Sequence, residues 1–267
     1  MYIKKMDIKL KRHKKSSHKG DNGRVLIVGG SIDYVGALIL AGSAAFATGV
    51  DIVTIAAPSN VAWAINCFDP DFITKKFKGD YFKSSQSRDI IKLSKRFDAV
   101  LIGNGLGDRK TTLSFANRIA RIEKPKVIDA DALKAIRLQD IKDSILTPHK
   151  KELEILFSNS KISQNQIKKN IGSDVLLIKG RIDKIISKDK IVYNKTGNEG
   201  MTVGGTGDVL AGLCAGFLAQ GYPLLKAACY SAFINGYVGD LIYKEKGVAL
   251  KASDIVKALP YVMRGFY

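Results

Sequence analysis

The sequence is poor in the features that mark secreted and membrane proteins. It holds three cysteines, Cys67, Cys214 and Cys229, with no CxxC pair among them. That excludes a disulfide scaffold and fits a reducing compartment. Cys214 and Cys229 lie in apolar helical text, where cysteine behaves as a small core residue. No uninterrupted apolar run approaches the roughly 18 residues a transmembrane helix needs. The N-terminus is basic, but no apolar segment follows it, so no secretory signal is read there. The expected location is cytoplasmic, with no membrane association.

Acidic residues are also in short supply, 25 against 43 basic ones, which leaves a formal charge of +18. Nine of the basic residues fall between Lys4 and Arg24, forming a basic arm over about residues 1–23. Such charge serves nucleic-acid binding or the steering of phosphorylated ligands, or reflects the source proteome. The remaining lysines spread along polar helix faces with little aromatic interleaving, which argues against a nucleic-acid-binding protein. His13 and His18 lie in the arm and are assigned no role.

Beyond the arm, short apolar runs alternate with helical patterns. Strands are expected at 24–28, 50–56, 98–102, 126–129, 144–146 and 174–178, with a hairpin over 182–193 turning near Lys188-Asp189. Helices are expected at 36–48, 111–121, 207–220, 223–244 and 253–259. Strands that are apolar throughout belong to a mostly parallel sheet covered on both faces. No linker or repeat divides the chain, so one α/β domain is expected over residues 1–267. Ligands of such folds sit at the C-terminal edge of the sheet. The loops there are Gly29-Gly30-Ser31, Gly103 to Gly107, Asp129-Ala-Asp131, Thr147-Pro-His149 and Lys179-Gly180.

The strongest motif is Gly204-Gly-Thr-Gly-Asp208, opening an apolar helix. Its glycines allow unusual backbone angles and close ligand approach. The free N–H groups of the helix start make an anion site. Asp208 is either a carboxylate that steadies the helix dipole or a base that deprotonates an attacking hydroxyl. The loop is richer in glycine than a cap requires, which favours the base. Gly212 and Gly216 follow on the helix and read as packing residues, allowing close approach to the sheet.

Gly205, Thr206, Gly207 and Asp208 resemble the GxGD element of ribokinase-like small-molecule kinases. The resemblance widens with Lys19 to Ser31, Tyr34-Val-Gly-Ala37, Gly103-Asn-Gly-Leu-Gly107, Asp129-Ala-Asp-Ala-Leu133, Leu146-Thr-Pro-His149 and Asn198 to Asp208. In this order, across nearly the whole chain, they are similar to the ADP-dependent NAD(P)H-hydrate dehydratases. That family usually has proline where Asn104 stands, which bears on loop rigidity. It also has Gly-Glu shortly after the histidine, where this chain has Lys150-Lys151-Glu152.

The resemblance implies a ribokinase-like three-layer fold and a carbon–oxygen lyase acting on the S epimer of hydrated NADH and NADPH. Phosphorylation of the hydrate hydroxyl by ADP, or by ATP, precedes loss of phosphate. Asp208 would be the base, and Gly205, Thr206 and Gly207 the anion hole. Ala37, Gly107 and His149 would meet the hydrate; His149 on residue grounds alone is equally a solvated loop histidine. Lys179, Gly180, Arg181, Ile182, Asp183 and Gly207 would hold AMP, ADP or ATP, although Lys179 by itself also reads as a surface lysine. Mg²⁺ would accompany the transfer, with Asp129 and Asp131 either binding it through water or capping the next helix. The resemblance further implies a homo-oligomer, a tetramer before a dimer, with Val61, Trp63 and Phe68 as apolar contact area. An epimerase is expected as a separate functional partner, since this chain is too short to hold both activities. The alternative enzyme is a ribokinase-like kinase of a vitamin precursor or sugar alcohol that releases its phosphorylated product.

Overall fold

The computed structural model describes residues 1–267. Nine strands form one sheet in the order β3-β2-β1-β4-β5-β6-β7-β8-β9. In chain order they are β1 (Arg24–Val28), β2 (Ile52–Pro58), β3 (Ile73–Phe77), β4 (Ala99–Ile102), β5 (Lys126–Ile128), β6 (Ser144–Leu146), β7 (Val175–Ile178), β8 (Asp183–Ile186) and β9 (Ile191–Asn194). All pairs from β3 to β7 are parallel, and the β8–β9 hairpin closes that edge antiparallel.

The helices are α1 (Gly36–Ala47), α2 (Ser59–Phe68), α3 (Ser87–Ser94), α4 (Lys110–Ala120), α5 (Lys150–Ser160), α6 (Ile167–Asn170), α7 (Thr206–Ala219), α8 (Leu224–Lys246) and α9 (Ala252–Met263). Each central strand feeds both layers, because successive side chains point to opposite faces. In β1, Val25 and Ile27 join the core under α1, α7, α8 and α9, while Leu26 and Val28 join the core under α3, α4 and α5. The uniformly apolar strand text has this cause.

The β3 edge was not expected. Its Ile73-Thr-Lys-Lys-Phe77 sequence is mostly exposed, and its lysines discourage further strand pairing. The arm is also less free than its charge suggests. Ile3, Ile8 and Leu10 are buried, and Ile3 N–H donates to the Tyr193 carbonyl of β9 at 2.9 Å.

Gly212 packs α7 on α1 rather than on the sheet. A Cβ there would lie 2.1 Å from the Ala41 carbonyl oxygen, so no side chain fits without parting the helices. Gly212→Ala is expected to destabilise by about 2 kcal/mol through overpacking, against the gain in helix propensity alanine normally brings. Thermal unfolding tests this; an unchanged or raised Tm would show that the helices part freely.

The chain lays down β1, β2 and β3 outward, then returns to place β4 on the other side of β1. A crevice opens where the winding reverses. The loops after β1 and β4 flank it, tied by the Gly30 N–H to the Asn104 carbonyl at 2.9 Å and by Ser31 Oγ to the Gly105 carbonyl at 2.9 Å.

Candidate active site

Helix α7 aims its N-terminus at this crevice. Gly205 is the N-cap, with φ +98° in the left-handed region. The Thr206, Gly207 and Asp208 N–H groups open the helix and have no intrahelical acceptor. With the helix dipole they form a cradle for an anion. Thr206 Oγ1 donates to the Met201 carbonyl at 2.9 Å, fixing the turn.

Asp208 stands at the rim of the cradle. Its Oδ1 accepts from Asn104 Nδ2 at 2.6 Å. Burial raises its pKa from the usual 3.8 to about 7; Asp129 pushes it further up, while the Asn104 hydrogen bond and Lys179 pull it down. A carboxylate titrating near neutrality suits a general base.

Asp129, at the end of β5, is the hub beneath it. Its Oδ1 accepts from Thr147 Oγ1 at 2.7 Å and from Lys179 Nζ at 2.9 Å, and its Oδ2 from Asn104 Nδ2 at 3.0 Å. Lys179 Nζ also lies 3.8 Å from Glu152 Oε2. Burial opposes the lysine's charge, but Asp129 and Glu152 outweigh it and hold its pKa above the ordinary value. The ammonium faces the cradle, since a Cβ on Gly207 would sit 3.4 Å from it. Gly103 makes the crossing possible. With φ +131°, it passes so near Asp129 that a Cβ would lie 1.7 Å from the Asp129 carbonyl oxygen.

Two cavities flank the start of α7. One, of about 520 Å³, is lined by His149, Lys179, Gly180, Arg181, Asp183, Thr206 and Gly207. The other, of about 720 Å³, is lined by Tyr34, Ala37, Gly107, Arg109, Asp131 and Asp208. Both fall in the size range of small-molecule sites.

Most residues grouped by sequence therefore meet in space, with corrections. His149 lines the cavity with Lys179 and not the one with Ala37 and Gly107. It caps α5, its Nδ1 accepting the Glu152 N–H at 3.3 Å, and this holds the ring on that side. Ile182 is 47% exposed and lines neither cavity. Asp183 uses its carboxylate internally, accepting from the Gly180 N–H at 3.1 Å and Asn194 Nδ2 at 3.0 Å. Val61 is buried, so only Trp63 and Phe68 of that trio are exposed.

The sequence marks Asn104 only as bearing on loop rigidity and carries no mark of Asn235. Asn235 lines the smaller cavity with a buried Oδ1 that lacks a partner. An amide between two loop glycines was the available signal for Asn104.

Asp129 and Asp131 are both engaged within the protein, so any metal ion near them would be met through water rather than by a cluster of direct ligands. Asp129 already accepts three hydrogen bonds, and Asp131 accepts from the Gly107 N–H at 2.8 Å and Lys134 Nζ at 2.7 Å. No group of three or more His, Cys, Asp or Glu side chains is placed to hold a metal.

The chain is similar to known proteins in sequence and in fold. The family model described as NAD(P)H-hydrate dehydratase matches residues 25–261. The bifunctional NAD(P)H-hydrate repair enzyme of Methanothermobacter thermautotrophicus is 39% identical over 97% of this chain and 53% of its own length. That of Methanocaldococcus jannaschii is 43% identical over 96% of this chain and 51% of its own. The chain thus spans about half the length of these relatives. The ADP/ATP-dependent NAD(P)H-hydrate dehydratase of Bacillus subtilis, co-crystallised with ATP and Mg²⁺, superposes with a TM-score of 0.82 at 25% identity, covering 97% of this chain and 95% of that one. The expected ribokinase-like layering is thus the observed one, and the chain belongs to the NAD(P)H-hydrate dehydratase family.

Proposed function

We propose that the protein restores NADH and NADPH from their S hydrates, using ADP or ATP as phosphoryl donor. The observation that carries this reading is the position of Asp208 and the α7 cradle between two cavities. A donor nucleotide in the Lys179 cavity places its terminal phosphoryl group on the Thr206 and Gly207 N–H groups. A hydrated nicotinamide in the Ala37 and Gly107 cavity brings its hydroxyl to Asp208.

Hydroxide is a poor leaving group, and phosphate is a good one. Asp208 takes the hydroxyl proton as the oxygen attacks phosphorus. The helix start and Lys179 stabilise the charge on the transferring group. ADP leaves AMP behind. The C–O bond of the phosphorylated hydrate then breaks, phosphate departs with the electron pair, and a proton lost from the adjacent ring carbon restores the double bond. Mg²⁺ belongs with the donor's phosphates in this reading, not with Asp129 or Asp131.

Incubation with hydrated NADH and either ADP or ATP tests the proposal. Recovery of the near-ultraviolet absorbance of reduced nicotinamide supports it and ranks the donors. Consumption of nucleotide without that recovery rejects it in favour of a kinase.

An epimerase acting on the R hydrate is its functional partner in this reading, and the working assembly is a homotetramer. Trp63 is 60% and Phe68 67% exposed on α2, which supplies apolar surface for association. Light scattering at micromolar concentration is expected to give a tetramer mass; a monomer mass would contradict it. No helix is long and apolar enough to cross a membrane, and a cytoplasmic location accords with the use of NADH and ADP.

A further inference from the structure

Asn104 is fully buried, and its side chain lies between the two carboxylates at the centre of the site. Nδ2 donates to Asp208 Oδ1 at 2.6 Å and to Asp129 Oδ2 at 3.0 Å, which uses both of its protons. Its Oδ1 is buried with no hydrogen-bond partner. An orphaned acceptor is costly, and packing alone does not account for one. The opposite amide orientation would set that oxygen against two carboxylate oxygens, so charge fixes the orientation seen. Asp129 is tied to Lys179 and Thr147 as well. Asn104 thus anchors the base to an immobile hub.

We infer that Asn104 is a positioning residue for Asp208: it holds Oδ1 of the base and leaves Oδ2 to meet the hydroxyl that loses its proton. The inference rests on the reading of Asp208 as base. Asn104 also favours the charged form of Asp208. The other groups facing that carboxylate are Asp129 from β5 and Lys179 from β7, with Glu152 of α5 behind the lysine. Asp131 and Lys134 line the same cavity from the turn after β5. None of these donates a hydrogen bond to Asp208, so Asn104 has no substitute.

Asn104→Leu keeps the branching with a somewhat larger side chain and removes the donor; Asn104→Ser supplies one hydroxyl that can serve one carboxylate. In the leucine variant the acid limb of the kcat profile is expected to rise by about one to two pH units, the scale of a lost hydrogen bond to a charged group. Turnover at pH 7 should fall roughly 5- to 50-fold, because Asp208 is about half ionised there in the native protein, and recover at alkaline pH, with KM for ADP nearly unchanged. The serine variant should shift the same way by less, and it decides the matter if the leucine variant does not fold. An acid limb that stays in place in the folded variants overturns the inference, whether turnover falls evenly or not at all. Asp208→Asn, run alongside, separates the two claims. If it stays active, the base assignment fails; if it is inactive and the Asn104 limb has not moved, only the positioning role fails.

Discussion

Asp208→Asn is expected to lower turnover by about 10²–10⁴-fold, the usual consequence of removing a general base. Asparagine has nearly the same shape, and its Oδ1 can still accept from Asn104 Nδ2, 2.6 Å from the native oxygen. The α7 cradle is made of backbone, so ADP affinity should change little. In the native protein kcat should rise with pH up to about 7 and then level, because only the ionised form of Asp208 accepts a proton.

The same substitution should stabilise the fold at alkaline pH. An acid whose pKa rises on folding binds its proton more tightly when folded. That favours the fold below the unfolded value of 3.8 and is lost as pH climbs through about 7. Above it the native protein carries a poorly solvated charge, which asparagine removes. The gap between the two values bounds the gain at about 4 kcal/mol, and part exposure of the carboxylate reduces the expected figure to about 1–2 kcal/mol. Denaturant unfolding at pH 8 and pH 4 checks this: the gain should be present at pH 8 and largely gone at pH 4. A variant that is both inactive and less stable at pH 8 would point to lost structure.

Lys179→Met should damage binding and chemistry together. Methionine follows a similar path but brings no charge to the cradle. The transferring phosphoryl group loses a cation, a loss on the scale of about 10²–10³-fold in turnover. Affinity for ADP should fall about tenfold, since in the proposed binding mode the ammonium meets the nucleotide in the ground state as well as the transition state. Lys179 also favours the charged form of Asp208, so the acid limb should move to higher pH. Calorimetric titration with ADP and a pH-resolved turnover series test all three. Turnover within a few-fold of native, with ADP affinity intact, would make Lys179 only the partner of Asp129.

The two variants differ in a useful way. In the proposed reaction Asp208 meets the hydroxyl alone, so its loss should spare nucleotide binding. Lys179 meets the phosphates there, so its loss should not.

The parts of this molecule that the sequence displayed are those whose causes are local. Strands β1, β2, β4 and β7 are buried on both faces, and their apolar text follows from that. The hairpin at Lys188-Asp189 and the helices α1, α4, α7 and α8 were each found to within a few residues. Strand β3 was hidden because an edge strand can be polar. Helix α9 runs to Met263 through Pro260, beyond the expected end at Leu259. Proline removes one N–H bond, and near a helix end that loss is small.

The site divides along the same line. Glycines before a helix start announce an anion cradle, because the requirement is met within a few residues. The Asn104 bridge joins positions 25 and 104 residues apart. Only the sheet order that sets β4 beside β5 and under α7 brings them together. His149 went to the other cavity for a similar reason: its capping of α5 fixes its direction, and a loop motif does not show which side a ring will face.

The central claim is that phosphorylation and dehydration occur on one molecule in one cleft. Its most direct test measures, in one reaction with hydrated NADH and ADP, the NADH regained and the AMP released. The account predicts equal amounts throughout the time course, with no phosphorylated nicotinamide nucleotide accumulating. AMP released without matching NADH, or a stable phosphorylated product, would contradict it.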